Sequence, residues 1–412
     1  MLLSSFQIEK QDQVMQLQQS LNLPKPIILS EEGSFANFTF SKRFPSVLQQ
    51  VIDNNDFPAE AVSKLEILSK ELNQGKIREI DDRGSDIITW NEYINHYLGK
   101  RWLELPFFFA EVYFYRRILE AIGYFEYPSE ERPDPYAVPK RGSLEKVLDA
   151  EKQPLYELEA SVKEKLMESL YASLWGNRED LSQLVESQAE QGKGINLDRQ
   201  ASSILVDDTA VVASKFADRT DSRIDLIADN AGSELLRDLY LIDFLLSRQI
   251  AGVVHLHLKF HPTFVSDATV RDFMITLEHL ENHSSEAFQS LSSRLKEYIN
   301  SNRLRLREDR FWTMPLFFWN MDQELSDELS GADLVVIKGD ANYRRLVGDL
   351  HWEHTESFEK IASYFPASLV ALRALKSELV IGLQRQQTEN LYSQDSKWLI
   401  NGKWGVVQFR GL

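Results

Sequence analysis

From residue 202 onward the chain alternates short β-branched runs with helical stretches, and that alternation restricts it to a small set of folds. The runs are SSILVD (202–207), RIDLIA (223–228), VVHLHLK (253–259), DLVVIK (333–338), SLVALR (368–373) and WGVVQF (404–409). Helical segments such as Ser233–Ser247 and Asp267–Leu280 lie between them. Strands this apolar, joined by helix-length connections, predict a mostly parallel sheet covered on both faces. The Arg–Leu alternation at 303–307 predicts an edge strand with a solvated basic face.

The first half reads differently. Leu65–Leu72, Trp90–Leu98 and Leu155–Leu174 carry apolar residues at helical spacing. The longest such stretch, Leu103–Ile122, is apolar on most sides and is followed by Gly123, so it predicts a central helix with a glycine stop. Glu111, Arg116 and Arg117 interrupt that apolar surface and read as buried ion pairs or snorkelling arginines. TENLYSQ (388–394) is close to a protease-tag site, differs from it at Ser393, and is read as native sequence.

Composition then removes whole classes. Hydrophobic residues make up 43% of the 412, enough for a sizeable core and too many for general disorder. There is no cysteine, which excludes disulfide scaffolds, thiol catalysis and iron–sulfur clusters, and leaves oxygen or imidazole as metal ligands. A net charge of −17 repels nucleic acid and anionic membrane surfaces, so neither is expected as a partner. No apolar run approaches the ~18 residues of a membrane span. The start, MLLSSFQIEKQDQ, lacks a signal peptide's basic stretch, so a cytoplasmic protein is expected.

In an open parallel sheet, ligands gather beyond the carboxyl ends of the strands. After RIDLIA come Asp229, Asn230, Gly232 and Glu234; after VVHLHLK comes a loop ending at Asp267, which is expected to open the next helix. DLVVIK ends at Lys338 and runs into Gly339, Asp340, Asn342, Tyr343 and Arg344, while SLVAL runs into Arg373 and Lys376. Carboxylates beside an asparagine oxygen suit a hard divalent cation, and the lysines and arginines suit a phosphate. Taken singly, Asp229 or Asp267 fits a helix N-cap better than a ligand. Their recurrence after successive strands shifts that balance toward metal-assisted phosphoryl transfer to water.

Other motifs give less. No P-loop, nucleophile elbow or complete dinucleotide fingerprint is present, and Gly192-Lys193-Gly194 lacks both a third glycine and a preceding strand. His255, His257 and His261 alternate as zinc ligands on one strand face would, but no further His completes the set, so they read as partly buried polar residues. Asp207 and Asp208 read as helix-start residues.

The words ADNAGSELLRDL (228–239), HPTFVSDAT (261–269), VVIKGDANYRRLVGD (335–349), ALRALK (371–376), AEVYFYRRI (110–118), SLWGNREDLS (173–182) and WLINGKWGVVQF (398–409) are spread over about residues 100–409, most of the chain. In content and order they resemble the metal-dependent damage-control phosphatase family, in particular its acidic-residue methyltransferase-like subfamily. The resemblance implies an α/β fold: a helical N-terminal domain (1–200) packed on a three-layer α/β/α domain (201–412) with a mostly parallel sheet. It implies a metal site of Asp229, Asn230 and Asp267, with Glu234, Lys338, Asp340, Asn342, Tyr343 and Arg344 at the substrate. Lys376 matches the lysine of the family's Arg-Thr-x-Lys word, although Ala374 stands where the family has threonine. Asp229, Asp267 and Lys376 are the expected catalytic residues. The implied cofactor is Mn²⁺, Co²⁺, Ni²⁺ or Mg²⁺, and the implied substrates are small phosphorylated metabolites such as fructose phosphates. Two other functions stay open at this point. One is S-adenosylmethionine-dependent methylation of protein carboxylates, against which stands the absence of a glycine-rich loop after the first strand. The other is a non-catalytic interaction protein on the same fold.

Overall fold

A computed structural model describes residues 22–150, 161–176 and 201–412. Six of its strands fall where the β-branched runs do: β1 Ile204–Asp207, β2 Ser222–Ile227, β3 Ala251–Lys259, β5 Leu334–Lys338, β6 Leu369–Ala374 and β7 Gly405–Arg410. The Arg–Leu alternation forms β4, Leu304–Asp309, which lies at the sheet edge as expected. The seven strands make one sheet in the order β1-β7-β6-β5-β2-β3-β4. Every neighbouring pair is parallel except β6 with β7.

The principal helices of the first half are α1 Phe44–Asp53, α2 Ala59–Gln74, α3 Ile87–Ile94, α4 Phe107–Ala121, α5 Ala137–Ala150 and α6 Val162–Leu174. Those of the second half are α7 Thr209–Phe216, α8 Ser233–Ser247, α9 Val270–Glu281, α10 Glu286–Asn300, α11 Gln323–Ser330, α12 Gly339–Val347 and α13 Arg385–Gln394. Alternation along the strands sorts their side chains to two faces. Ile227, Val335 and Ile337 face a cluster that includes Trp90 and Tyr113 from the first half. Leu226, Val254 and Val336 face the other, with Leu144 and Leu170. Both apolar clusters therefore draw on residues from either side of position 200. Among the described residues, no helix is long and apolar enough to cross a membrane.

Helix α4 is buried almost throughout, from Phe107 to Ala121. It starts four residues later than its hydrophobicity suggests. Pro106 forces Leu105 into extended backbone, and Trp102–Glu104 is left as a single 3-10 turn. Gly123, at φ 66°, ends it in the left-handed region as anticipated. Its charges are all paired: Arg116 holds Asp82 and Asp86, Arg117 holds Glu71 and Glu120, and Glu111 reaches Arg344. The TENLYSQ stretch lies within α13, where Gln387 donates to the Leu205 carbonyl at 2.8 Å. Asp207 accepts from the Thr209 amide at the start of α7, and Asp208 occupies its N-cap position. Residues 155–160 of the expected helix, residues 177–182 of SLWGNREDLS, Gly192-Lys193-Gly194 and the N-terminal stretch lie outside the described residues.

Candidate active site

The strand order reverses between β2 and β5. From β2 the chain moves outward to β3 and β4, then returns to the opposite side of β2 for β5 and β6. Such a reversal opens a crevice at the carboxyl ends of the two central strands. Asp229 stands two residues beyond β2, and Gly339 directly follows β5.

Neither aspartate caps a helix. Gly232, at φ 71°, occupies the N-cap position of α8, and Thr269 caps α9 through a capping box with Asp272. The expectation that Asp267 opens the helix is therefore corrected. A threonine two residues later satisfies the free amides and leaves the Asp267 carboxylate available. The two loops are stitched together by an Asn230–Asp267 bridge, with Ala231 N–H donating to Ser266 O at 2.7 Å and Ala268 N–H to Asp229 O at 2.8 Å. Just before Asp267, Phe264 and Val265 both have positive φ, 48° and 69°. A β-branched residue in that region is strained, and such strain is commonly held at functional loops.

Asp229, Asn230 and Glu234 form one connected group. The Asn230 carboxamide donates to Asp229 Oδ2 at 2.7 Å and to Glu234 Oε2 at 2.8 Å, while its oxygen accepts from Ser266. Asp267 Oδ2 lies 3.3 Å from Lys259 Nζ, yet accepts no well-aligned hydrogen bond. Burial raises the Asp229 carboxyl well above its ordinary range, and the charges of Asp267 and Glu234 raise it further. Burial likewise raises Asp267, against the pull of Lys259. Buried carboxylates with too little compensating charge, one of them with an orphaned oxygen, are what a hard divalent cation would satisfy. Asp229, Asp267 and the Asn230 carboxamide are the residues that could hold such an ion.

The remaining expected residues divide into two groups. Asp340 accepts from Arg373 Nε at 2.9 Å, from Ser377 Oγ at 3.0 Å and from the Lys376 backbone at 3.3 Å. It thereby fixes the turn that carries Lys376. Lys376 itself is exposed, and its charge is felt at Asp229. Asn342 donates to the Ala228 and Lys338 carbonyls and receives Lys259 on its oxygen at 3.3 Å, locking the rim.

Lys338, Tyr343 and Arg344 turn inward. The Lys338 ammonium is fully buried among Ser173 O (2.6 Å), Asp238 (2.7 Å) and Glu234 (3.1 Å). Burial alone would lower its pKa, but Asp238 and Glu234 outweigh that and hold it raised. The Tyr343 hydroxyl donates to Gln408 at 2.8 Å beneath the rim. Arg344 is clamped between Asp349 and Glu111 and lies 4.3 Å from the Phe107 ring centre, tying α12 to α4. Lys338→Met should cost about 3–5 kcal/mol, because it leaves Asp238 and Glu234 buried without their cation. A denaturant midpoint unchanged from wild type would contradict that placement.

Lys259 and Ser266 are the site residues the sequence reading passed over. Lys259 ends β3 on the same face as His255 and His257, so strand alternation was its signal.

A family model, the damage-control phosphatase ARMT1-like domain, matches residues 39–391. The chain belongs to the ARMT1-like damage-control phosphatase family. Among relatives, the damage-control phosphatase ARMT1 of Rattus norvegicus is 34% identical, over 94% of this chain and 99% of its own length. The Homo sapiens protein of that name is 31% identical over the same shares. A duf89 family protein from Pyrococcus horikoshii has a similar fold, with a TM-score of 0.51 over 93% of this chain and 99% of that one, at 14% identity. Asp229, Asn230, Asp267 and the Gly339–Asp349 segment all fall inside the span that matches the ARMT1-like family.

Proposed function

We propose that this member of a phosphatase family hydrolyses small phosphorylated metabolites with the help of a divalent cation held by Asp229, Asn230 and Asp267. The observation that carries the reading is the pair of buried aspartates beyond the strand ends at the strand-order reversal, neither of them capping a helix, with an Asp267 oxygen that accepts no well-aligned hydrogen bond. Bound there, a cation such as Mn²⁺, Co²⁺, Ni²⁺ or Mg²⁺ would act as a Lewis acid toward a phosphoryl oxygen. The chain's own residues do the rest. Glu234 orients Asn230, Lys338 balances Glu234, and Asp340 holds the turn from which Lys376 meets the remaining phosphate charge. Asn342 and Lys259 keep the two loops in register, while Tyr343 and Arg344 anchor α12 from below.

An acidic molecule can bind a phosphate in this way because a cation and a lysine stand between the two negative partners. Sugar phosphates, fructose phosphates among them, are the proposed substrates, and metabolite damage control is the proposed role. The test is phosphate release from a panel of sugar phosphates by chelated protein, with and without each metal. Metal-restored turnover on at least one sugar phosphate is expected. No metal-dependent release across the panel would overturn the reading.

The raised carboxyls also set a pH dependence. Asp267, pushed up to about 6, takes up a proton in the folded chain at a pH where the unfolded chain has not, the ordinary value being 3.8. Metal-free protein therefore carries the full cost of this carboxylate above about pH 6 and recovers it as pH falls toward 4. Mg²⁺ at about 100 times its Kd should stabilise by roughly 2.7 kcal/mol at pH 7.5. Much less is expected at pH 5, where the proton competes with the ion. Equal thermal shifts at the two pH values would contradict the assignment.

A further inference from the structure

On the same sheet face as Lys259, but deeper, lies a second polar group that the proposed reaction does not use. Asp225 on β2 is directly opposite His255 on β3, and His257 is the next residue of β3 on that face. All three are buried, with exposures of 0%, 2% and 1%. The third histidine of the sequence pattern, His261, is elsewhere. Beyond the end of β3 the alternation breaks, and His261 turns to the Pro262 carbonyl and toward Asp86, against the Phe125 ring. Asp225 takes its place.

The distances have the scale of a coordination shell. His257 Nε2 lies 3.0 Å and His255 Nδ1 3.8 Å from Asp225 Oδ2, and one ligand atom from each residue falls within 4.8 Å of the others. Glu328, on α11 above them, brings Oε1 to 3.4 Å from His255 Nδ1. A tetrahedral ion with bonds of about 2.0–2.1 Å sets its ligand atoms roughly 3.3 Å apart. Small side-chain adjustments would close the set.

Hydrogen bonding points the same way. Both ring nitrogens of His255 are buried without a hydrogen-bond partner, while Glu328 Oε1 is ion-paired with Arg307 Nε at 2.8 Å and would share that contact with a bound ion. Leaving such atoms unsatisfied costs about 1–3 kcal/mol each. Burial lowers His255 to about 4, so its imidazole is neutral, the form that binds metals, at neutral pH. Arg223 donates through Nε to Asp225 Oδ1 and would remain as an outer partner of that ligand. Arg223 pairs with Asp225 and Arg307 with Glu328, and Asp309, close enough to interact with His257, adds a further negative charge beside the group. Glu328 and Arg307, 28% and 42% exposed, mark the way in from solvent.

We propose that Asp225, His255 and His257, with Glu328 as the fourth ligand, form a second metal site that takes an imidazole-binding ion of the Zn²⁺ class. It ties β2 and β3 to α11. Asp225 lies within β2 whereas Asp229 stands two residues beyond its end, and the two groups share no residue, so the two sites are distinct. Nitrogen ligands suit Zn²⁺, whereas the oxygen donors of the rim suit Mg²⁺ or Mn²⁺.

Chelated full-length protein would be loaded with Zn²⁺, desalted and analysed for bound metal, and the zinc environment read by X-ray absorption. Imidazole scattering is expected from wild type and from Asp267→Ala, which removes the rim ligand. That equivalent should disappear in His255→Ala/His257→Ala, while Mn²⁺-dependent phosphate release persists. If circular dichroism shows the double variant unfolded, His255→Gln replaces it. Zinc bound without imidazole scattering, no retained zinc in wild type, or equal zinc in the histidine variant would overturn the proposal. A failed phosphatase assignment would leave the imidazole signal untouched, so the two outcomes are separable.

Discussion

Gly339→Ala is expected to lower metal-dependent phosphate release by about 10²-fold while leaving most of the fold in place. Gly339 has φ +84°, and a Cβ added there would sit 2.0 Å from the Asp229 carboxylate. Two costs combine. The left-handed backbone strains any L side chain by roughly 1–2 kcal/mol. The contact cannot be relieved without moving Asp229, because the obstructing atoms are the carboxylate itself, whose Oδ2 is held by Asn230. A shift of about 1 Å in such a group is enough for a ~10²-fold loss. Gly402→Ala separates the two costs, since Gly402 has φ +71° with nothing within 4 Å of its added Cβ. It should lose stability of the same order and keep its turnover. Equal activity losses in the two variants would show that strain, and not displacement of Asp229, is responsible.

The contrast between Gly339 and the neighbouring cations shows what local spacing can and cannot reveal. β-branched runs bounded by turns mark strands because the pattern is local, and six of them located the sheet and the ends of its strands. Asp229 and Asp267, the proposed ligands, stand out for the same reason, as acids closely following strand ends. Lys338 and Arg344 stand at equally suggestive positions, but their partners are Asp238 and Glu111, 100 and 233 residues away. Ion pairing at that separation leaves no local trace, so a buried strut and a substrate-binding cation look alike in the sequence. The capping of α9 was misread on a smaller scale. Asp267 and Thr269 are both good N-caps, and only the Thr269–Asp272 capping box decides between them. Asp225 was hidden inside an apolar strand word, whereas the alternation of His255 and His257 was visible and their third partner was not.

The most direct test of the central claim is the metal-dependent turnover of Asp267→Ala. Asp267 is the carboxylate with the orphaned oxygen, and its removal deletes one of the two charged ligands proposed at the rim. The expected loss is at least about 10³-fold, at the upper end of what a single charge-stabilising group contributes. Circular dichroism should remain that of wild type, because Thr269 caps α9 and the backbone bridge to Asn230 is kept. Phosphate release would be measured on the most rapidly hydrolysed sugar phosphate, with chelated protein and saturating Mn²⁺. Turnover reduced to the metal-free background is the predicted result, and wild-type turnover in a folded Asp267→Ala protein would contradict the account.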